Sequence, residues 1–168
     1  LSANAEATGL STIRALAVEF PGDARSWTMS DEYLLGDGLL VAPIVDEGVT
    51  GRSVYLPPGE WISWDGQTNT TGPADISVQA EMSELPLFLR KGTVLPRVSD
   101  TLDTVLPAAA PLVSLADVEG ARQLLVAAGG DGEFTERDGT HYMVKKTGDA
   151  AFTLPACASA DQRDCVDG

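Results

Sequence analysis

The hydrophobic pattern centres on the stretch from Asp31 to Val45, DEYLLGDGLLVAPIV. Two acidic residues begin this stretch, and Gly36 and Gly38 precede an apolar run, residues 39–45, that only Pro43 interrupts. A run this short cannot cross a membrane, and consecutive apolar residues between turn residues are typical of a strand buried on both faces. We therefore predict that residues 39–45 form a central strand of the core.

Beyond this run, apolar and polar residues alternate with a period of about two, which is the pattern of half-buried strands. In residues 53–56 and 76–81 the apolar positions are Val54, Leu56, Ile76, Val78 and Ala80. Pairs of turn residues recur at short intervals along the chain, and Pro58-Gly59 is predicted to be a turn between two strands. Short strands at this spacing predict an antiparallel β-sandwich.

Further elements are predicted towards both ends of the chain. Residues 1–9 resemble the last turns of a helix that Gly9 closes, and residues 10–20 are strand-like. Residues 98–111 predict a connector, and the tail from Ala156, which has no periodicity, predicts a loop or a disordered end. Strands are predicted between them at Gln123–Ala127, Gly132–Arg137, His141–Lys145 and Ala151–Leu154.

Composition narrows the classes of partner. The 168 residues are 43% hydrophobic, which is enough for one core of ordinary size. A formal charge of −14, from 25 acidic and 11 basic residues, repels phosphate backbones and anionic membranes, so we expect no nucleic acid partner. No apolar run reaches the length of a membrane span. Residue 1 is Leu and no signal-like segment follows it, so we expect a chain that begins partway into a gene product or after processing.

Four motifs, taken in order, resemble the C-terminal part of glycoside hydrolase family 31, the family of α-glucosidases and α-xylosidases. They are FPGD at residues 20–23, DEYLLGDGLLVAPIV at 31–45, RSVYLPPGEW at 52–61 and LPLFLRKGTVLP at 85–96. The resemblance extends over residues 8–97. Residues 130–135, with Asp138-Gly139-Thr140 after them, are similar to a later stretch of the family.

The resemblance implies a mainly β fold, an antiparallel β-sandwich preceded by the last helix and strand of a (β/α)8 barrel. It implies that residues 1–37 are the end of the catalytic barrel, residues 38–155 the sandwich and residues 156–168 a tail. Residues 10–20 fall where the family has its eighth barrel strand. Because a whole barrel needs about 250 residues, we expect that strand either to lie against the following domain or to be disordered.

The resemblance also implies that the catalytic residues lie elsewhere. Retaining glycoside hydrolysis needs two carboxyl groups about 5 to 5.5 Å apart. In the family both are Asp residues on earlier barrel strands, in motifs such as W-DMNE that this sequence lacks. We therefore predict no catalytic residue, cofactor site or metal site in this chain. Asp31 and Glu32 are predicted to be solvated or to cap a helix.

Three aromatic residues, Tyr55, Trp61 and Trp64, are candidates for contact with a sugar ring. Trp61 and Trp64 would fall on opposite faces of a regular strand, so a shared stacking platform needs a bulge. Packing in the core or between domains is the main interpretation, and the platform is the alternative. Asn69-Thr70-Thr71 fits a glycosylation sequon and predicts an exposed hairpin loop at residues 65–73.

Other candidate chemistry is sparse. Cys157 and Cys165 could form a disulfide in an oxidising compartment, which would indicate secretion or a periplasmic location, or remain free thiols. His141 is the only histidine, and no Cys lies near it at a ligand spacing, so we predict neither a zinc site nor a catalytic triad. The carboxylates of residues 161–167 would suit calcium, but their spacing misses the EF-hand register.

Two functions remain. In the first, the chain is the non-catalytic C-terminal segment of a retaining α-glycosidase. Its partner is then the catalytic barrel of the same polypeptide, and carbohydrate is bound through that barrel. In the second, the chain is a β-sandwich that stands alone and binds carbohydrate or another protein, with Tyr55, Trp61 and Trp64 as contacts. The ordered motifs favour the first function.

Overall fold

The computed structural model describes residues 5–6, 8–81, 83–98, 122–135, 139–146 and 150–153. The first part of the chain forms β1 (Ile13–Ala15), helix α1 (Leu16–Glu19), a 3-10 turn (Ala24–Trp27), β2 (Tyr33–Leu35), β3 (Leu39–Val41), β4 (Gly51–Ser63), β5 (Asn69–Gln79) and β6 (Leu87–Arg90). It is followed by β7 (Val94–Val98), β8 (Arg122–Val126), β9 (Gly132–Thr135), β10 (His141–Val144) and β11 (Ala150–Thr153).

These strands form three sheets, and every strand pairing is antiparallel. The largest sheet has six strands in the order β1-β2-β3-β6-β4-β5, and the others are a β7-β8 ribbon and a three-stranded sheet β11-β10-β9. The predicted mainly β, antiparallel fold is therefore confirmed. The helical segments of the described chain are all too short to span a bilayer.

Strand β3 lies inside the large sheet and is buried on both faces, as the apolar run predicted. Leu40 faces a core that includes Leu16 and Trp61, whereas Leu39 faces a second core that the β7-β8 ribbon covers. The strand is shorter than predicted because it ends at Val41. Pro43 has no N–H to donate to a neighbouring strand, and by Val45 the side chain is 67% exposed.

Strand β4 corrects the predicted turn at Pro58-Gly59, because it continues through these residues for 13 positions. Leu56 pairs with Ala74, and Gly59 pairs with Gly72, so β4 has one more residue than β5 between the two pairs. This β-bulge re-aims the rest of the strand. A Cβ on Gly72 would lie 2.0 Å from the Pro57 carbonyl oxygen, so only glycine fits beside the bulge.

The N-terminal segment is part of the large sheet and not a remnant without partners. Strand β1 pairs with β2 from Ile13↔Leu35 to Ala15↔Tyr33, and the chain then turns into α1 instead of continuing as the predicted strand. Leu16 and Phe20 belong to the core, with exposed fractions of 0% and 8%. The large sheet extends across the boundary predicted between residues 37 and 38, since β1 and β2 lie before it and β3 lies after it.

Strands β8 to β11 lie at the four predicted C-terminal positions. The sequon residue Asn69 is exposed, but it already begins β5, so the hairpin turn is shorter than the predicted loop. Residues 99–121 and 154–168 lie outside the described residues. Most of the predicted connector, the acidic tail, Cys157 and Cys165 fall there.

Candidate functional site

Asp23, from the FPGD motif, anchors the segment that follows it. Its carboxylate accepts hydrogen bonds from the Arg25 N–H at 3.3 Å, the Ser26 hydroxyl at 2.6 Å and the Tyr55 hydroxyl at 2.7 Å. Burial raises the pKa of Asp23, but the hydrogen bonds from the Ser26 and Tyr55 hydroxyls and from the N–H groups of Arg25 and Ser26 together outweigh burial, and the pKa is lowered. The motif therefore ties the 3-10 turn to β4.

Arg25 extends this connection to β5. Its guanidinium donates two hydrogen bonds to the Asp75 carboxylate and lies 4.2 Å from the centre of the Tyr55 ring. The hydrogen bond from Arg25 lowers the pKa of Asp75. Paired, planar donors of this kind fix geometry more strongly than a single charged contact.

Glu32 is the buried carboxyl of this region, and its side chain is 0% exposed. One oxygen accepts hydrogen bonds from the Tyr55 N–H at 2.9 Å and from Arg52 at 3.1 Å. Burial raises the pKa of Glu32 to about 7, although the Tyr55 N–H and the charge of Arg52 oppose the rise. The other oxygen has no hydrogen-bond partner among the described residues. The prediction of a solvated or capping Glu32 is wrong.

Arg52 holds Glu32 in place and has every guanidinium nitrogen engaged. Nε donates to the Ser53 carbonyl, Nη1 to the carbonyls of Asp31 and Pro43, and Nη2 to the carboxylates of Asp31 and Glu32. Asp31 is itself 44% exposed, in agreement with a partly solvated carboxylate. Arg52 therefore links β4 to the residues before β2 and to Pro43 after β3.

These side chains form one polar network. Its members are Asp23, Arg25, Ser26, Asp31, Glu32, Arg52, Tyr55 and Asp75. Tyr55 joins the two halves, and its burial, reinforced by Asp23, raises the pKa of the phenol to about 12. The network connects the 3-10 turn, the residues before β2, and strands β4 and β5. Each carboxylate already has a partner, so the arrangement suits structural support.

A small cavity of about 240 Å³ opens beside Arg52, between Asp31 and the loop at residues 44–51. It is smaller than the pockets of about 300 to 1,000 Å³ that hold small ligands. Because the guanidinium of Arg52 is saturated by protein acceptors, the charge at the cavity wall has no N–H left for a ligand. Neither the size nor the lining of this cavity indicates a binding site.

The three candidate aromatic residues are not brought together on a surface. Trp61 is 0% exposed, and its indole N–H donates to the Pro57 carbonyl at 2.8 Å. Tyr55 is 3% exposed, whereas Trp64 is 40% exposed, with the Arg97 guanidinium 6.0 Å from its ring centre. The burial of Trp61 and Tyr55 agrees with the packing interpretation. Of these three residues, only Trp64 has a ring that is exposed to solvent.

His141 lies on a strand surface. Its Nδ1 is 3.0 Å from the Thr135 hydroxyl, and its Nε2 is 3.8 Å from the Glu133 carboxylate. In the part of the chain that the structure describes, no three His, Cys, Asp or Glu side chains are grouped as metal ligands.

Sequence reasoning missed two features of this region. The first is the burial of Glu32, although its spacing from Leu34 carried the signal, since residues two apart on a strand share a face. The second is Trp27, whose indole is 66% exposed while its N–H donates to the Pro21 carbonyl at 3.0 Å. An exposed tryptophan with an internal partner has no local sequence signature.

Comparison with known proteins identifies relatives of this fold. Residues 9–95 match the family described as the glycosyl hydrolase family 31 C-terminal domain. The chain is 37% identical over 89 residues to an isomaltosyltransferase of Sporosarcina globispora, covering 53% of this chain and 8% of that protein. It is 40% identical over 91 residues to the human neutral alpha-glucosidase AB, covering 53% and 10%. Alpha-glucosidase 2 of Bacillus thermoamyloliquefaciens is 29% identical over 144 residues, covering 85% and 18%.

Solved structures give the same result. A dextranase of glycoside hydrolase family 31 from Flavobacterium johnsoniae superposes with a TM-score of 0.68 and 27% identity, covering 86% of this chain and 19% of that one. The cycloalternan-forming enzyme of Listeria monocytogenes gives 0.67 and 28%, covering 86% and 14%. The chain thus spans less than a fifth of the length of these relatives. With a family match over residues 9–95, more than half of its length, this chain belongs to the family of glycosyl hydrolase family 31 C-terminal domains.

Proposed function

We propose that this chain is the non-catalytic C-terminal segment of a retaining α-glycosidase, an enzyme that hydrolyses O-glycosyl bonds in carbohydrate metabolism. In this proposal it packs against a catalytic (β/α)8 barrel of the same polypeptide and supports the active-site face. Carbohydrate is bound by the barrel. Family membership and relatives named as α-glucosidases support the proposal.

The observation that carries it is the engagement of the carboxylates. A retaining enzyme needs an ionised nucleophile and a second carboxyl that exchanges a proton with the glycosidic oxygen. In the polar network, Asp23 is held by hydroxyl and amide donors, and Asp31 and Asp75 are paired with arginines. Glu32 is shut off from solvent. The geometry supports a scaffold, since each carboxylate of this network is engaged by other groups of the chain.

The network also supports a mechanical role. It joins four separate segments across the large sheet with hydrogen bonds, several of them to charged groups, which are stronger than hydrogen bonds between neutral groups. A domain tied together in this way presents a fixed surface to its neighbour. A fixed surface is what an active site built on barrel loops requires from the domain beside it.

Two measurements test the proposal. The 168-residue chain should not hydrolyse aryl α-glucosides or aryl α-xylosides, and a polypeptide that includes the barrel should lose activity and thermal stability when residues 9–168 are removed. Turnover by the pure chain that disappears when one of its carboxylates is changed to the amide would overturn the non-catalytic role. Full activity and an unchanged melting temperature after the truncation would overturn the supporting role.

The alternative is a module that stands alone and binds carbohydrate, and the exposed ring of Trp64 is the observation in its favour. The burial of Trp61 and Tyr55 counts against it, because a sugar needs accessible ring faces. Titration with maltose, isomaltose and xylose distinguishes the two functions. Saturable binding that Trp64→Ala removes would support the alternative, and no binding would leave the supporting role.

A further inference from the structure

The segment from Leu10 to Trp27 holds apolar side chains of two kinds, those that this domain buries and those that it leaves exposed. On the inner side, Leu16 and Phe20 have exposed fractions of 0% and 8%. Leu10, Ile13, Val18 and Trp27 are 40%, 59%, 52% and 66% exposed, and they are four of the ten exposed large hydrophobic side chains in the described part of the chain. We call these four the outer apolar side chains.

A segment that packs on one side needs only a single apolar stripe, so the core of this domain does not account for the exposed apolar side chains. Exposed apolar residues that occur singly need no explanation, but a concentration on one segment marks an interaction surface. The outer apolar side chains therefore indicate a second layer of protein that covers this segment.

Trp27 is suited to anchor such a contact. Its indole N–H already donates to the Pro21 carbonyl at 3.0 Å, so the exposed part of the ring needs no polar partner. The hydrogen bond also fixes the ring before any partner arrives, and a rigid aromatic ring loses little conformational entropy on binding. The contact is preorganised.

The charged groups of the segment point to a partner that is apolar rather than charged. Arg14 pairs with Glu19 at 3.2 Å, and Glu19 is also 3.8 Å from Arg90. Asp23 and Arg25 belong to the polar network. Because each charged group from Leu10 to Trp27 already has an ion-pair or hydrogen-bond partner inside the domain, the surface requires no opposite charge from its partner.

The partner follows from where the family domain starts. The match to the C-terminal domain begins at residue 9, immediately before this segment, and the chain covers 8% to 18% of the three relatives described above. Because the matched domain is described as C-terminal, the polypeptide that precedes it in members of the family is connected close to the corresponding segment. Covalent connection raises the effective concentration of the neighbouring domain at this surface, and a separate molecule lacks that advantage.

We infer that the outer apolar side chains, with Trp27 as the anchor, form the docking surface for an apolar face of the domain that precedes this one in the same polypeptide. This inference rests on the proposed function and names the surface through which the support would act. It commits to the preceding domain as the occupant, in preference to a second copy of the chain.

Hydroxyl-radical footprinting tests the inference with internal controls. In the 168-residue chain, Trp27 and Trp64 should be oxidised readily and Trp61 should be protected, in line with their exposed fractions of 66%, 40% and 0%. In the polypeptide that includes the preceding domain, Trp27 should become protected several-fold while Trp64 stays reactive. Equal oxidation of Trp27 in both would overturn the inference. Protection in the isolated chain that grows with its concentration would also overturn it, in favour of a second copy.

A matched pair of variants, Trp27→Ser and Trp64→Ser, completes the test. In the isolated chain the two variants should melt close to the parent, since both rings are exposed. In the longer polypeptide Trp27→Ser should lower the melting temperature by several degrees and Trp64→Ser should not. If removal of residues 9–168 abolishes activity but Trp27→Ser has no effect, the supporting role stands and this docking surface is wrong. If the truncation has no effect and Trp27 is nevertheless protected, the surface stands and the supporting role is wrong.

Discussion

At the scale of single residues, the fold changes the chemistry of Glu32 by removing its side chain from water. The carboxyl keeps one oxygen in hydrogen bonds to Arg52 and the Tyr55 N–H, and the other has no partner among the described residues. A protonated carboxyl suits such a site better than a carboxylate, because burial of charge costs more than burial of a neutral group. Below a pH of about 7, the proton on Glu32 therefore contributes to the stability of the fold.

This predicts a pH dependence with a definite sign. The pKa of Glu32 rises from the ordinary value of 4.5 to about 7 in the folded chain, so between these values the folded state holds more protons than the unfolded state. The free energy of unfolding should fall by about 1 to 3 kcal/mol as the pH rises through this window. Urea unfolding at both ends of the window measures the fall.

Glu32→Gln is the test variant, because the amide resembles the protonated carboxyl. It should remove most of the fall with pH, whereas Glu47→Gln, at an exposed loop position, should leave it unchanged. A parent protein whose free energy of unfolding rises across the window, or a Glu32→Gln variant with the same slope as the parent, would contradict the assignment.

At the scale of elements, the strands were predicted well where the signal is local. The apolar run at β3 and the alternation in β5 are patterns of neighbouring residues, and the structure contains both strands. The turn at Pro58-Gly59 was wrong because these residues do favour turns, and only the pairing with β5 shows a bulge instead. Pairing across the sheet cannot be deduced from a short stretch of sequence.

Strand β3 gives a prediction with a matched control. Val41 is 3% exposed and Val45, four residues later, is 67% exposed. Val41→Asp buries an unpaired charge and should reduce the free energy of unfolding by several kcal/mol or prevent folding, whereas Val45→Asp should change it by less than about 0.5 kcal/mol. Thermal or urea unfolding of the two variants checks this. Equal losses in both would show that the core lies elsewhere.

At the scale of the whole molecule, the N-terminal segment is part of the large sheet. Residues 10–20 were predicted either to lie against the following domain or to be disordered. Leu16 and Phe20 belong to the core of the sheet that begins at β1. The polar network was also beyond sequence reasoning, because it joins residues as distant as Arg25 and Asp75. Such contacts depend on the assembled fold, and no local sequence pattern predicts them.

A deletion tests the role of the segment in stability. Removing residues 1–20 takes away β1, α1 and two buried apolar side chains, Leu16 and Phe20, each worth about 1.5 to 3 kcal/mol of burial. Since domains are stable by only about 5 to 15 kcal/mol, the shortened chain should unfold or melt far below the parent. Removing residues 1–8, which takes nothing from the sheet, is the control.

Amide hydrogen exchange gives an independent reading of the same segment. The amides of residues 13–15 that bond to β2 should be protected in the monomer, although less than those of residues 39–41, because β1 lies at the edge of the sheet and β3 lies inside it. Rapid exchange at residues 13–15 beside strong protection at residues 39–41 would mean that β1 is not a stable part of the sheet.

The extra residue at the bulge in β4 changes which positions of the strand face each side of the sheet. Before it, even-numbered residues such as Val54 and Leu56 face the core that contains Leu16; after it, the odd-numbered Trp61 faces that core and Ile62 faces the other. The number of residues between Leu56 and Trp61, rather than their apolar or polar character, decides on which side of the sheet the indole lies. A relative that lacked one residue here could keep every hydrophobic side chain and still turn its tryptophan away from this core.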